Sequence, residues 1–117
     1  MLYRRGGGFE PFTFASTSGT TAYLGPYSQS ILTRTVSGGS TTGFTLTHPD
    51  GSYELYQQAS GSQFFMTAVA DKAGNLVTLT YDSSMRITAI TDAVGQVSTL
   101  TYGSSSAPLQ VTKITDP

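Results

Sequence analysis

The chain contains no cysteine and no tryptophan, and only 11% of its 117 residues are charged. Without cysteine there is no disulfide framework and no thiolate chemistry, and a single histidine cannot supply a conventional zinc site. Six Lys and Arg residues are scattered among seven Asp and Glu, for a formal charge of −1, which argues against a nucleic-acid surface. We therefore predict no metal, no cofactor and no nucleic-acid partner.

Long apolar segments are also missing. No window approaches the ~20 apolar residues that a membrane helix needs. The pair Arg4 and Arg5 is not followed by the apolar run of a signal peptide. The sequence predicts no membrane insertion and shows no export signal of its own.

Alternation of apolar and polar residues takes the place of helical spacing. In NLVTLTYD, Val77, Leu79 and Tyr81 fall on one face and two threonines on the other, which predicts a strand with a buried face. Comparable runs lie at 30–36, 44–47, 52–56, 63–69, 96–102 and 109–115. We predict an all-β fold, an antiparallel meander of hairpins with about eight strands and little or no helix.

Turn residues separate these runs. In HPDGS, Pro49 fixes φ and Gly51 accepts a positive φ, so Pro49, Asp50 and Gly51 predict a hairpin turn between 44–47 and 52–56. The segment SGGSTTG, at 37–43, predicts a longer flexible loop.

A repeat occupies the C-terminal part of the chain. Asp71 and Asp92 are 21 residues apart, and the same offset relates two glycines, two leucines and the pair Tyr81 and Tyr102. After the second tyrosine three residues are inserted, so Ile87 aligns with Val111 and Ile90 with Ile114, at an offset of 24. Each unit is a strand, a turn, a strand and a turn, which needs neighbouring units to bury its apolar face.

The period divides the chain into four parts. We predict a lead-in arm of irregular or short strands at 1–29 and degenerate pre-repeat hairpins at 30–70. One repeat follows at 71–91, and a second, with the insertion and the start of a third, at 92–117.

Repeat positions are predicted to be structural and not catalytic. The tyrosine rings should cover the neighbouring strand with the hydroxyl at the rim, and Asp82 should bond turn amides and pair with Arg86. The positions that define the repeat are Asp71, Gly74, Asn75, Leu79, Tyr81, Asp82, Arg86, Ile87, Ile90, Asp92, Gly95, Leu100, Tyr102 and Ile114.

The segment AGNLVTLTYDSSMRITAITD resembles the YD repeat of RHS proteins. Upstream, ILTRTVSGGSTTGFTLTHPDGSYELY is similar to the segment that leads into those repeats, so the resemblance covers roughly 30–117. The chain departs from the pattern where Met85 replaces a turn glycine, where Gly103 replaces the aspartate of the second Tyr-Asp, and where the second turn is lengthened.

The resemblance implies a segment of a spiral β-sheet shell in a large secreted or cell-surface bacterial protein, related to the shells of teneurins. The implied partners are neighbouring repeats of a longer chain and an enclosed toxin cargo. Open strand edges also predict self-association, in which the strand at 109–115 pairs with another copy or with the arm.

Two other functions remain open at this point. A surface adhesin or carbohydrate-binding module is predicted if Tyr53, Tyr56, Tyr81 and Tyr102 are exposed together, because aromatic rings stack on sugars. A hydrolase would use His48, the only histidine, in a Ser-His-Asp set, yet the chain has no strand-Ser-helix elbow. We predict no enzymatic activity.

Overall fold

The computed structural model describes residues 2–3, 8–14, 21–23 and 29–117. These residues form strands and turns without a helix, so nothing in the described chain is a helix suited to crossing a membrane. The strands are β1 (Leu2–Tyr3), β2 (Phe9–Glu10), β3 (Thr13–Phe14), β4 (Thr21–Tyr23), β5 (Ile31–Ser37), β6 (Ser40–Thr47), β7 (Tyr53–Ser60), β8 (Gln63–Ala70), β9 (Leu76–Tyr81), β10 (Ile87–Thr91), β11 (Val97–Thr101) and β12 (Lys113–Thr115).

Ten of the strands form one antiparallel meander. From β3 to β12 each strand pairs with its neighbour in sequence, while β1 and β2 make a separate two-stranded sheet. The predicted all-β hairpin meander is confirmed, and eight strands follow residue 30, from β5 to β12. The period-two patterns were sufficient for this because hairpin pairing depends on local sequence.

The flexible loop predicted at 37–43 is wrong. Gly38 and Gly39, with φ of +57° and +81°, form a two-residue turn between β5 and β6, as a type I′ hairpin requires. Residues 40–43 belong to β6. Two adjacent glycines favour both flexible loops and this turn, and the threonines that follow favour the strand.

The strand predicted at 109–115 is shorter than expected. Only Lys113–Thr115 pairs with β11, and residues 103–112 form a loop. Val111 therefore lies outside the strand and does not take the place of Ile87. Pro108 has no N–H to give to a ladder, and the inserted residues close on themselves.

Strand register repeats with the sequence. In β8 and β9 the pairing ends at Ala68 opposite Thr78, and in β10 and β11 it ends at Ala89 opposite Thr99, so both partners move by 21 residues. Ile114 faces Leu100 as Ile90 faces Leu79, which is the predicted offset of 24 after the insertion. The two units are therefore equivalent in backbone pairing as well as in sequence.

The core lies on one face of the N-terminal half of the sheet. Its buried members are Leu2, Phe12, Ala22, Leu32, Leu46 and Tyr56. Phe44 packs between Phe14 and Phe64, with ring centroids 6.3 Å and 5.3 Å away. Leu2 and Phe12 belong to the lead-in arm, so the arm supplies part of the cover of this face.

The C-terminal half carries an apolar row on the same face. Leu79, Ile90 and Leu100 are half-buried, and Ile114 in the last strand is 64% exposed. All three residues of β12 are exposed. Burial thus declines steadily toward this edge of the sheet.

Candidate functional site

Four turns share one hydrogen-bond pattern. In each, the N–H of the first residue donates to the carbonyl of the fifth, and the N–H of the fourth donates to the carbonyl of the first, at 2.9–3.1 Å. A three-residue connection that ends in a left-handed residue produces this pattern. The turns are 48–52, 71–75, 82–86 and 92–96.

Aspartate side chains complete three of these turns. The carboxylate oxygen Oδ1 of Asp71, Asp82 and Asp92 accepts the N–H groups of the third and fifth turn residues at 2.8–3.1 Å. The side-chain amide of Asn75, 2.7 Å from Asp71 Oδ2, is the main cause of a lowered pKa of Asp71. The backbone N–H of Arg86 is the main cause of the lowered pKa of Asp82.

These two lowered pKa values predict acid sensitivity. Because the folded-state pKa lies below the unfolded value of about 3.9, the stabilisation is complete above that pH and is lost as pH falls through the folded pKa. The urea midpoint should therefore fall between about pH 4 and pH 2. In the double variant Asp71→Asn and Asp82→Asn, whose amide oxygens still accept the turn N–H groups, the fall should be smaller. An equal fall in both proteins would contradict this assignment.

The left-handed position of the turns is occupied by glycine in three cases and by Met85 in the fourth. Met85 has φ +60°, against +87° to +88° at Gly51, Gly74 and Gly95. Met85 thus stands in the glycine position that the sequence assigned to it. A side chain in this region is unfavourable by about 1–2 kcal/mol.

Replacing Met85 by Gly should stabilise the protein. We expect a gain of about 0.5–1 kcal/mol, because relief of the backbone strain exceeds the added freedom of the unfolded chain. The reciprocal control is Gly95→Ala, where an added Cβ meets no atom within 4 Å, so its expected loss of about 1 kcal/mol is conformational. Urea unfolding measures both, and a loss of stability in Met85→Gly would refute the strain.

Two tyrosines make the same long-range contact. The hydroxyl of Tyr81 donates to the carbonyl of Met66 at 2.6 Å, and that of Tyr102 donates to the carbonyl of Ile87 at 2.7 Å. Each acceptor lies 15 residues before its tyrosine, two residues beyond the end of the ladder. Burial raises the pKa of Tyr81. The hydroxyl therefore supplies a donor where the neighbouring strand has stopped pairing.

The tyrosine rings are covered by residues that are also 21 positions apart. Phe65 packs on Tyr81 with ring centroids 6.2 Å apart, and the Arg86 guanidinium lies 4.7 Å above the centre of the Tyr102 ring. An arginine over an aromatic face is attracted by the ring quadrupole. The same place in the repeat is thus filled by an aromatic residue in one unit and a cation in the next.

Arg86 joins three parts of the structure. Its Nε and Nη2 both lie 2.8 Å from Asp82 Oδ2, which is the pairing that the sequence predicted. Its Nη1 also donates to the carbonyl of Pro108 at 2.8 Å, across to the loop at 103–112. The contacts with Pro108 and Tyr102 were not predicted from sequence, because both partners are distant along the chain.

The turns fall on two opposite rims of the sheet. We name as the tied rim the corner Gly61–Ser62, the turn 82–86 and the loop 103–112, which Tyr81, Tyr102 and Arg86 connect. We name as the free rim the turns 48–52, 71–75 and 92–96. An antiparallel meander places successive turns on alternate rims.

A polar cluster lies beside the first turn of the free rim. His48 replaces the aspartate of the other turns, and Asp50 instead accepts the N–H and hydroxyl of Ser52, at 2.9 and 2.6 Å. The His48 ring lies 3.3 Å from Ser30 Oγ through Nδ1 and 3.6 Å from Glu54 Oε1 through Nε2.

This cluster resembles a catalytic triad only in composition. The 3.6 Å separation is longer than a hydrogen bond, and Glu54 Oε2 already accepts the Tyr56 hydroxyl at 2.5 Å. Ser30 is 7% exposed, which gives a substrate little access to its hydroxyl. The arrangement holds a buried carboxylate by hydrogen bonding. Its only sequence signal was a glutamate in a strand of otherwise apolar alternation.

Tyrosine orientation separates the two non-enzymatic functions. Tyr56 is buried, and Tyr53, Tyr81 and Tyr102 are half-buried, so none of the four presents an open ring face. The other three tyrosines have side chains outside the described residues.

No family model, curated protein or solved structure matches this chain. In the part of the chain that the structure describes, no three His, Asp or Glu side chains are grouped to hold a metal ion. The argument for function therefore depends on the geometry of the sheet and its two rims.

Proposed function

We propose that the chain is a structural segment of an RHS-type β-shell that encloses a toxin or effector domain. The observation that supports it most is the exact repetition of register and tyrosine contact at 21 residues in β8–β9 and β10–β11. A unit that repeats its pairing can be added indefinitely along the hydrogen-bonding direction. A wall needs this property, whereas a binding module does not.

In this proposal the wall acts by exclusion. A continuous antiparallel ladder satisfies the backbone groups of each strand and leaves no gap between neighbours. The exposed edge at β12 is where a further repeat, of the same longer chain or of another copy, pairs with the sheet. The protein is secreted or displayed at the cell surface as part of a larger bacterial product, and no residue of this segment performs chemistry.

The test uses the complete gene product in a bacterial host. Leu79→Asp places a charge in the apolar row and should open the wall, so the enclosed effector becomes active and growth slows. Thr80→Asp changes the adjacent, exposed position on the other face and should leave growth unchanged. The effector domain expressed by itself shows the full toxicity. The proposal fails if that domain is harmless, or if the intact product is as toxic as the Leu79→Asp variant.

The carbohydrate-binding alternative has no support from the tyrosines. Their rings pack on neighbouring strands, and two of the hydroxyls are committed to backbone carbonyls. Saturable binding to a glycan array by the 117-residue chain, lost in Tyr53→Ala, would restore this alternative in place of the wall.

A further inference from the structure

Each contact on the tied rim runs backwards along the chain. Tyr81 reaches Met66 in β8, three residues after that strand begins, close to the corner Gly61–Ser62. Tyr102 reaches Ile87, the residue that directly follows the turn 82–86. The corner is therefore held by a side chain that is made later in the chain.

The turns of the free rim are held differently. The hydrogen bonds described for 71–75 and 92–96 join residues of the same five-residue turn. They carry no information from one hairpin to the next. Coupling between successive hairpins, beyond the ladder itself, is thus confined to one rim.

We propose that Tyr81 and Tyr102 are positioning residues that fix the preceding corner of the tied rim, so that each hairpin corner is completed only by the tyrosine of the following unit. The coupling has a direction. Loss of a tyrosine hydroxyl loosens the corner before it and leaves the turn inside its own unit unchanged.

The loop at 103–112 fits this inference because it is closed by its own side chains. Gly103 N–H donates to Thr112 Oγ1 at 2.9 Å, and Ala107 N–H donates to Ser104 Oγ at 3.1 Å. Gln110 N–H donates to the carbonyl of Ala107 at 2.9 Å. The inserted residues thus provide within one loop the closure that a following tyrosine provides for the turn 82–86.

The inference is independent of the wall proposal. It concerns hydrogen bonds of the 117-residue chain, and it holds or fails whether or not the complete product encloses an effector. Its test therefore uses the chain by itself.

The experiment is amide hydrogen exchange, resolved by NMR, on Tyr102→Phe. We expect the N–H groups of Asp82 and Met85 to exchange roughly three- to tenfold faster, the equivalent of one ordinary hydrogen bond. The N–H groups of Gly74 and Gly95, on the free rim, should stay within about twofold of the unchanged protein. The carbonyl carbon resonance of Ile87 should shift, since it loses its donor.

Two comparisons make the test decisive. In Tyr81→Phe the faster exchange should move to the amides around Gly61–Ser62 and spare the turn 82–86. In Asp92→Ala, which breaks a free-rim turn, it should be confined to 92–96. Equal acceleration on both rims in Tyr102→Phe would show general destabilisation and overturn the proposal. So would an unshifted Ile87 carbonyl, or faster exchange only in the loop at 103–112.

Discussion

Replacing Leu46 by Ala should lower the free energy of unfolding by about 2–5 kcal/mol, because it removes a buried side chain and leaves a cavity. Leu46 is 5% exposed and pairs with Leu32 across the ladder in the core of the N-terminal half. Its loss also removes support from Phe44 and Tyr56, which pair with each other one position along the same face. Urea unfolding followed by circular dichroism measures the change.

Leu109→Ala is the matched control for Leu46→Ala. The same atoms are removed from a side chain that is 78% exposed in the loop, and the expected change is within about 0.5 kcal/mol. If the two substitutions have equal effects, this face is not the stabilising core.

Replacing Tyr56 by Phe should cost about 1.5–3 kcal/mol, because the lost hydroxyl donates to a carboxylate that is itself buried. The Tyr56 hydroxyl lies 2.5 Å from Glu54 Oε2, and both residues face the apolar cluster. The ring remains, so the change reports on the hydrogen bond and very little on packing.

The control for Tyr56→Phe is Tyr53→Phe, on the opposite face of the same strand, where the expected loss is below about 0.5 kcal/mol. Adding Glu54→Gln to each variant completes a double-mutant cycle. The coupling energy should be large with Tyr56 and near zero with Tyr53. Equal couplings would remove the special role of the Tyr56 hydroxyl.

Local patterns predicted most of the sheet. Alternation located β9, and the Asp-to-Gly spacing located the turns 71–75 and 92–96, because strands and hairpin turns are specified by residues close in sequence. The Asp82–Arg86 pair was predictable for the same reason, since both residues belong to one turn.

Contacts between distant segments were not predictable in this way. The sequence placed the hydroxyls of Tyr81 and Tyr102 at a rim but could not identify Met66 or Ile87 as acceptors, because that requires knowing where the ladder ends. The cluster at His48 was missed for a related reason. Ser30 comes close to His48 only through the pairing of β5 with β6.

The free rim gives the sheet a second, outward property. Lys72 and Ala73 in one turn, and Ala93 and Val94 in the next, occupy equivalent places at the tips, and Val94 is 81% exposed. Successive tips are two strands apart, about 10 Å in the hydrogen-bonding direction. Because each turn is closed by its own aspartate, the tip residues can change chemistry without disturbing register. The repeat is therefore also a molecular ruler, on which side chains of any kind can be displayed at a fixed interval.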